Sequence, residues 1–148
     1  MDQPTAEEAL KALQPLVGEW RVVARAPGGE PWPGEAWASF QWHESQAHLV
    51  ARSSIDAPGA PDSISIIGCD AANGVYYQLY SDDRGVCRVY AMSIGAGEWK
   101  LWREGDPFPQ RFIARFEDEG RTIVGRWEKA QDGSTYTTDF DLTYTRVP

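Results

Sequence analysis

Arg88 and Arg103 fall among bulky apolar residues at strand-like spacing, and a guanidinium aimed into an apolar interior is costly unless a charged or polar group meets it. Val86, Arg88, Tyr90 and Met92 share one face of one run, and Trp99, Leu101 and Arg103 share one face of the next, because successive side chains in a strand point to opposite sides. Two roles are open to these arginines. They sit near a rim or pair with an interior acid such as Asp70, their stems lying along aromatic rings. Alternatively, one or both bind the acidic head of a ligand through charge-assisted hydrogen bonds. Trp42, Tyr77, Tyr90, Trp99, Phe112, Trp127 and Phe140 are expected to line the body of the same cavity. The chemistry expected is therefore the binding of a small apolar or aromatic molecule, with or without an anionic end.

Other constellations are weaker. His43-Glu44-Ser45-Gln46-Ala47-His48 misses the H-E-x-x-H spacing by one residue and lies in a hairpin, so the two rings cannot be presented on one helical face to zinc. No metal site is expected, and no cofactor. There is no G-x-S-x-G elbow, P-loop or dinucleotide fingerprint. The carboxylates of Asp82-Asp83, Glu117-Asp118-Glu119 and Asp139/Asp141 fall in turns or on a wet face and give no facing pair for glycoside chemistry, and no catalytic residue is assigned. Cys69 and Cys87 are expected as two buried free thiols. The alternatives to a binding barrel are an isomerase- or cyclase-type enzyme using interior Tyr and Arg, and a protein-interaction module presenting Trp32 and Phe108 from loops.

A chain of 148 residues with 42% hydrophobic content and seven tryptophans fits a single domain over residues 1–148 with one core. The net charge of −8 and pI near 4.7 argue against nucleic acid and against an anionic membrane surface as partners. The N-terminal residues have neither a basic nor an apolar leader segment, so a cytoplasmic location is expected; a homodimer is left open.

Positioning these residues takes a run of strands. Thr5-Ala6-Glu7-Glu8 is a capping-box pattern that opens a short helix over 5–14, stopped by Pro15. From Gly18 the period changes to two: Trp20, Val22 and Ala24 oppose Arg21 and Arg25. The segment 26–34 is a glycine- and proline-rich loop, and 35–43 with 47–56 reads as a hairpin. A strand over 62–69 leads into a meander turned at Asn73-Gly74 and Arg84-Gly85, where glycine accepts a positive φ without steric cost. The last three runs alternate cleanly. Phe112, Ala114 and Phe116 oppose Arg111 and Arg115; Ile123, Gly125 and Trp127 oppose Arg126 and Glu128; Tyr136, Phe140, Leu142 and Tyr144 oppose Asp139 and Asp141. The result is an all-β chain of about ten antiparallel strands with no room for crossover helices, and closure into a barrel removes its exposed edges.

Leu16-Val17-Gly18-Glu19-Trp20 resembles the G-x-W opening of calycins. The series Tyr80–Met92, Trp99–Arg103, Gln110–Phe112, Gly120–Ile123, Gly125–Lys129 and Asp139–Thr145 resembles the DUF1579 family of bacterial proteins. That resemblance implies a calycin-like barrel of the lipocalin or fatty-acid-binding-protein kind and carries no settled biochemical role. It also implies a structural clasp in which Trp20 packs against Arg146 at the barrel end. Nitrobindin, a haem-binding ten-stranded calycin, takes its histidine ligand from the C-terminal part of its chain. No histidine follows His48 here, so haem is not expected.

Overall fold

The computed structural model describes residues 5–148. Thr5 caps α1 (Ala6–Lys11) by accepting the Glu8 amide on its hydroxyl. The helix is shorter than the expected 5–14. Gln14–Leu16 winds as a separate 3-10 turn with Pro15 near its start, since proline has no N–H to extend the α-helical ladder.

Ten strands follow: β1 (Gly18–Arg25), β2 (Ala36–Trp42), β3 (Leu49–Ile55), β4 (Ser63–Asp70), β5 (Val75–Asp82), β6 (Cys87–Gly95), β7 (Glu98–Arg103), β8 (Gln110–Glu117), β9 (Thr122–Lys129) and β10 (Thr137–Arg146). Each pairs antiparallel with its sequence neighbours, and β1 pairs with β10 to close the barrel. Among the described residues no helix is long and apolar enough to cross a membrane.

The two barrel ends differ. α1 and the 3-10 turn cover the end where β1 starts and β10 finishes, and Leu13, Leu16, Trp20, Leu49, Ile67 and Ile123 there lose all contact with solvent. The Tyr76 hydroxyl donates to the Ala9 carbonyl (2.8 Å) and ties α1 to the sheet. Trp20 donates its indole N–H to Leu16 O (2.9 Å) and lies opposite Arg146, whose guanidinium sits 4.1 Å from the indole centroid. Arg146 also donates to the carbonyls of Pro15 and Val17. Gly18 has φ +135°, and a Cβ there would collide with the Arg146 guanidinium. Glycine is thus required in the G-x-W opening by the arginine as well as by the backbone.

Four expectations are corrected by the structure. Tyr77 lies on the outer face and is exposed, because Tyr76, Gln78 and Tyr80 take the inner positions of β5. Cys69 is only partly buried, and Cys87 is exposed because its neighbour Arg88 takes the inner position. Tyr136 falls outside β10 and stacks under the guanidinium of outward-facing Arg111 (3.9 Å), since the β9–β10 register shifts between Thr138 and Phe140. Asp70 sits at the helix-covered end, where it caps the 3-10 turn Ala71–Asn73 and is exposed, too far along the barrel to serve Arg88.

Candidate functional site

A cavity of about 240 Å³ lies inside the barrel because its two walls are unequal. β2, β3 and β4 turn mostly small side chains inward, Ala38, Ala51, Ser53, Ser63 and Ser65 beside Phe40, while β7 to β10 turn in Trp99, Leu101, Phe112, Trp127, Phe140, Leu142 and Tyr144. Large residues face small ones across the lumen, and the space between them is left over. Gly125 lets the aromatic wall close up: a Cβ there would come within 2.7 Å of the Phe112 ring. The rings interlock, with Trp99 edge-on to Phe40 (5.9 Å) and Phe112 (5.0 Å) and Phe112 against Trp127 (5.2 Å).

The opposing wall is polar in a narrow strip. The hydroxyls of Ser53 and Ser63 are 2.6 Å apart, and the Gln78 amide donates to Ser65 Oγ (3.3 Å). Gln78 Oε1 and Trp99 Nε1, buried on residues that line the cavity, have no hydrogen-bond partner among the described residues. An unmet buried polar atom costs about 1–3 kcal/mol.

The open end carries the charges. Tyr90 stands opposite Gln78 in the register, Arg103 opposite Gln110, and Tyr80 opposite Arg88. Arg88 donates to Gln110 Oε1 (2.7 Å), and the Tyr90 hydroxyl donates to the same oxygen (3.1 Å). Arg103 donates to the carbonyls of Asp106 (2.6 Å) and Phe108 (3.2 Å) in the loop that follows it, between β7 and β8. Among the described residues neither arginine makes an ion pair. None of the five N–H donors of Arg88 is therefore committed to a carboxylate, and one goes to Gln110. The Tyr90 ring packs edge-on against Trp127 (5.4 Å), which links this network to the cavity wall.

On the neighbouring strand β5, Asp82 accepts from the Tyr80 hydroxyl (2.7 Å), the Arg84 guanidinium (2.7 Å) and the Arg84 amide (2.9 Å). The Arg84 guanidinium, together with the Tyr80 hydrogen bond, holds the Asp82 carboxyl well below the usual range, against the opposing effect of burial. Burial pushes the Tyr80 phenol up to about 12, helped by Asp82, and burial alone does the same to Tyr144. Tyr90 is also raised by burial, although Arg88 and Arg103 pull the other way. The phenols of Tyr80 and Tyr90 act as hydrogen-bond donors, to Asp82 and Gln110.

Of the residues assigned from sequence to the site, Trp99, Phe112, Trp127 and Phe140 line the cavity, and Arg88, Tyr90 and Arg103 form the mouth network beside it. Trp42 faces the helix-covered end, donating its indole N–H to Gln14 (3.2 Å), and Tyr77 faces outward. Tyr80, Gln78, the inward Ala and Ser residues and Tyr144 were not assigned. A signal for the first two existed: if Arg88 and Tyr90 point inward, so do the residues paired with them across the Asp83–Val86 turn. Trp32 is not a free loop residue, since its ring rests 5.3 Å from that of Phe140 at the cavity's edge. His43 and His48 stack on each other (4.6 Å) in the β2–β3 loop, at the far end from the cavity.

The crystal structure of Rv2717c from M. tuberculosis superposes on this chain with a TM-score of 0.65, covering 99% of this chain and 100% of that one at 15% identity. At that identity the likeness shows the fold alone. No family model matches the chain, and no curated protein does.

Proposed function

We propose that the barrel binds a small apolar or aromatic molecule in its interior, with an anionic end, where the molecule has one, directed to Arg88 at the mouth. The single observation that carries this is the cavity between a wall of alanines and serines and a wall of interlocked aromatics. An apolar cavity of about 150 Å³ accommodates benzene, so 240 Å³ suits one or two fused rings. The serine strip would orient a polar edge, and rings of the guest would lie against Trp99, Phe112 and Trp127. Membership among the DUF1579-like calycins is part of the same proposal and rests on the sequence series from Tyr80 to Thr145.

The test is tryptophan-fluorescence titration with 2-naphthol, backed by native mass spectrometry of the freshly purified protein. Ala51→Phe, which would fill the cavity from the small-residue wall, is expected to weaken 2-naphthol binding by at least about tenfold, while overpacking costs about 1–3 kcal/mol of stability. Equal affinity in the two proteins would place the guest outside the lumen.

A further inference from the structure

The outer face of β4, β5 and β6 carries no charged side chain over Ile64, Ile66 and Gly68, then Tyr77, Leu79 and Ser81, then Cys87, Val89, Ala91 and Ser93. In a chain with 24% charged residues this is the exception, as the outer positions of β1 (Glu19, Arg21, Arg25) and of β8 and β9 (Arg111, Arg115, Arg126) show. Pairing makes the face contiguous. Ile66 lies opposite Leu79 and Leu79 opposite Val89; Tyr77 lies opposite Ala91 and Ala91 opposite Trp102. Ile64, Ile66, Tyr77, Leu79, Val89 and Trp102 are each between 39% and 57% exposed. Together they bare on the order of 600 Å² of apolar surface, the upper end of what a monomer normally shows in one patch.

We propose that this face joins two copies of the chain in a two-fold, isologous dimer. Two such patches bury roughly 1,200 Å² in total, enough for a specific interface but at its small end, so the association is expected in the micromolar range. Charge selects the partner. A net charge of −8 makes copies repel wherever their charged faces meet, and a two-fold contact sets the same surface against itself, so a self-contact requires a face without charge. A basic partner would instead be drawn to the acidic remainder of the surface. The contact lies on the barrel wall and leaves both mouths open to solvent. This inference does not rest on the ligand proposed for the lumen.

Sedimentation velocity of the whole chain between about 1 and about 200 µM tests it. The wild-type protein is expected to pass from monomer to dimer across that range. Leu79→Glu and Val89→Glu, outward-facing and clear of the core, are each expected to weaken the dimer by at least about 30-fold, since like charges are then set face to face. Val124→Glu, exposed on the outer face of β9, is expected to dimerise as the wild type does. Circular dichroism checks that all three fold. Should the patch variants fail to fold, hydroxyl-radical footprinting of the wild type replaces them, with protection of Tyr77 and Trp102 expected at high concentration only. A wild-type monomer at about 200 µM overturns the proposal and leaves the face to a different protein or a lipid surface. So does a dimer that survives both patch substitutions or is lost in Val124→Glu, or footprinting that does not change with concentration.

Discussion

The helix-covered end and the open mouth of this barrel use the same residue types, tryptophan and arginine, for opposite ends. At the covered end Trp20 is wholly buried, its N–H is met by Leu16, and Arg146 spends its donors on backbone carbonyls while lying over the indole. At the mouth Trp32 is half exposed on a loop, and Arg88 has a glutamine oxygen as its partner. The difference teaches that an arginine beside aromatic rings is a structural clasp when carbonyls converge on it and a candidate binding group when they do not. Arg103, tied to two loop carbonyls, is intermediate: it braces the loop that borders the mouth.

The largest effect should come from breaking the closed end. Trp20→Ala is expected to cost about 3–5 kcal/mol in urea denaturation, the usual penalty for truncating a buried large aromatic. A loss below about 1 kcal/mol would mean that the covered end relaxes as freely as the mouth, erasing the distinction.

The mouth is sharpened by a paired measurement. For 2-naphthoate, Arg88→Leu should lower affinity about tenfold or more, because charge-assisted hydrogen bonds in a partly dry site are worth about 1.5–3 kcal/mol. Arg52→Leu, on the outer face of β3, should change it by less than about twofold, as exposed pairs contribute about 1 kcal/mol at most. Equal losses in the two would make Arg88 a rim brace like Arg103.

The smallest effect is a pH dependence at the mouth. Asp82 has its carboxyl held low in the fold by Arg84 and Tyr80, so the stability it contributes is complete above the unfolded value of about 3.9 and is lost as pH falls from there through the lower folded value. Asp82→Asn should therefore flatten the fall in stability below about pH 4. On the outer wall Glu128 behaves in the same sense: burial raises its carboxyl, but the hydrogen bonds and charges of Arg111 and Arg126 together bring it below its ordinary value. An Asp82→Asn profile that parallels the wild type would put the acid sensitivity at the other lowered carboxyls, Glu128, Asp118 and Asp132, instead.

The chain by itself determined the strands, their turns and which residues share a face, because a period of two and a glycine at positive φ are local properties. Asn73-Gly74 and Arg84-Gly85 turn where composition says they must, and Trp20, Arg88, Trp99 and Phe112 fall inside because alternation sets each with bulky apolar neighbours on one face. Alternation is relative, however, and does not say which face of a strand turns inward. In β5 both faces carry tyrosine, so Tyr76 and Tyr80 could be told from Tyr77 only by the register with β6, and in β10 one irregularity moved Tyr136 to the outside. Closure of β1 onto β10 brought Trp20 to Arg146 across 126 residues, and the return of β8 set Gln110 against Arg88. The cavity also belongs to the tertiary structure alone. Ala51 and Ser65 are unremarkable in their own strands and make a space only because the curve of the barrel sets Trp99 and Phe112 across from them.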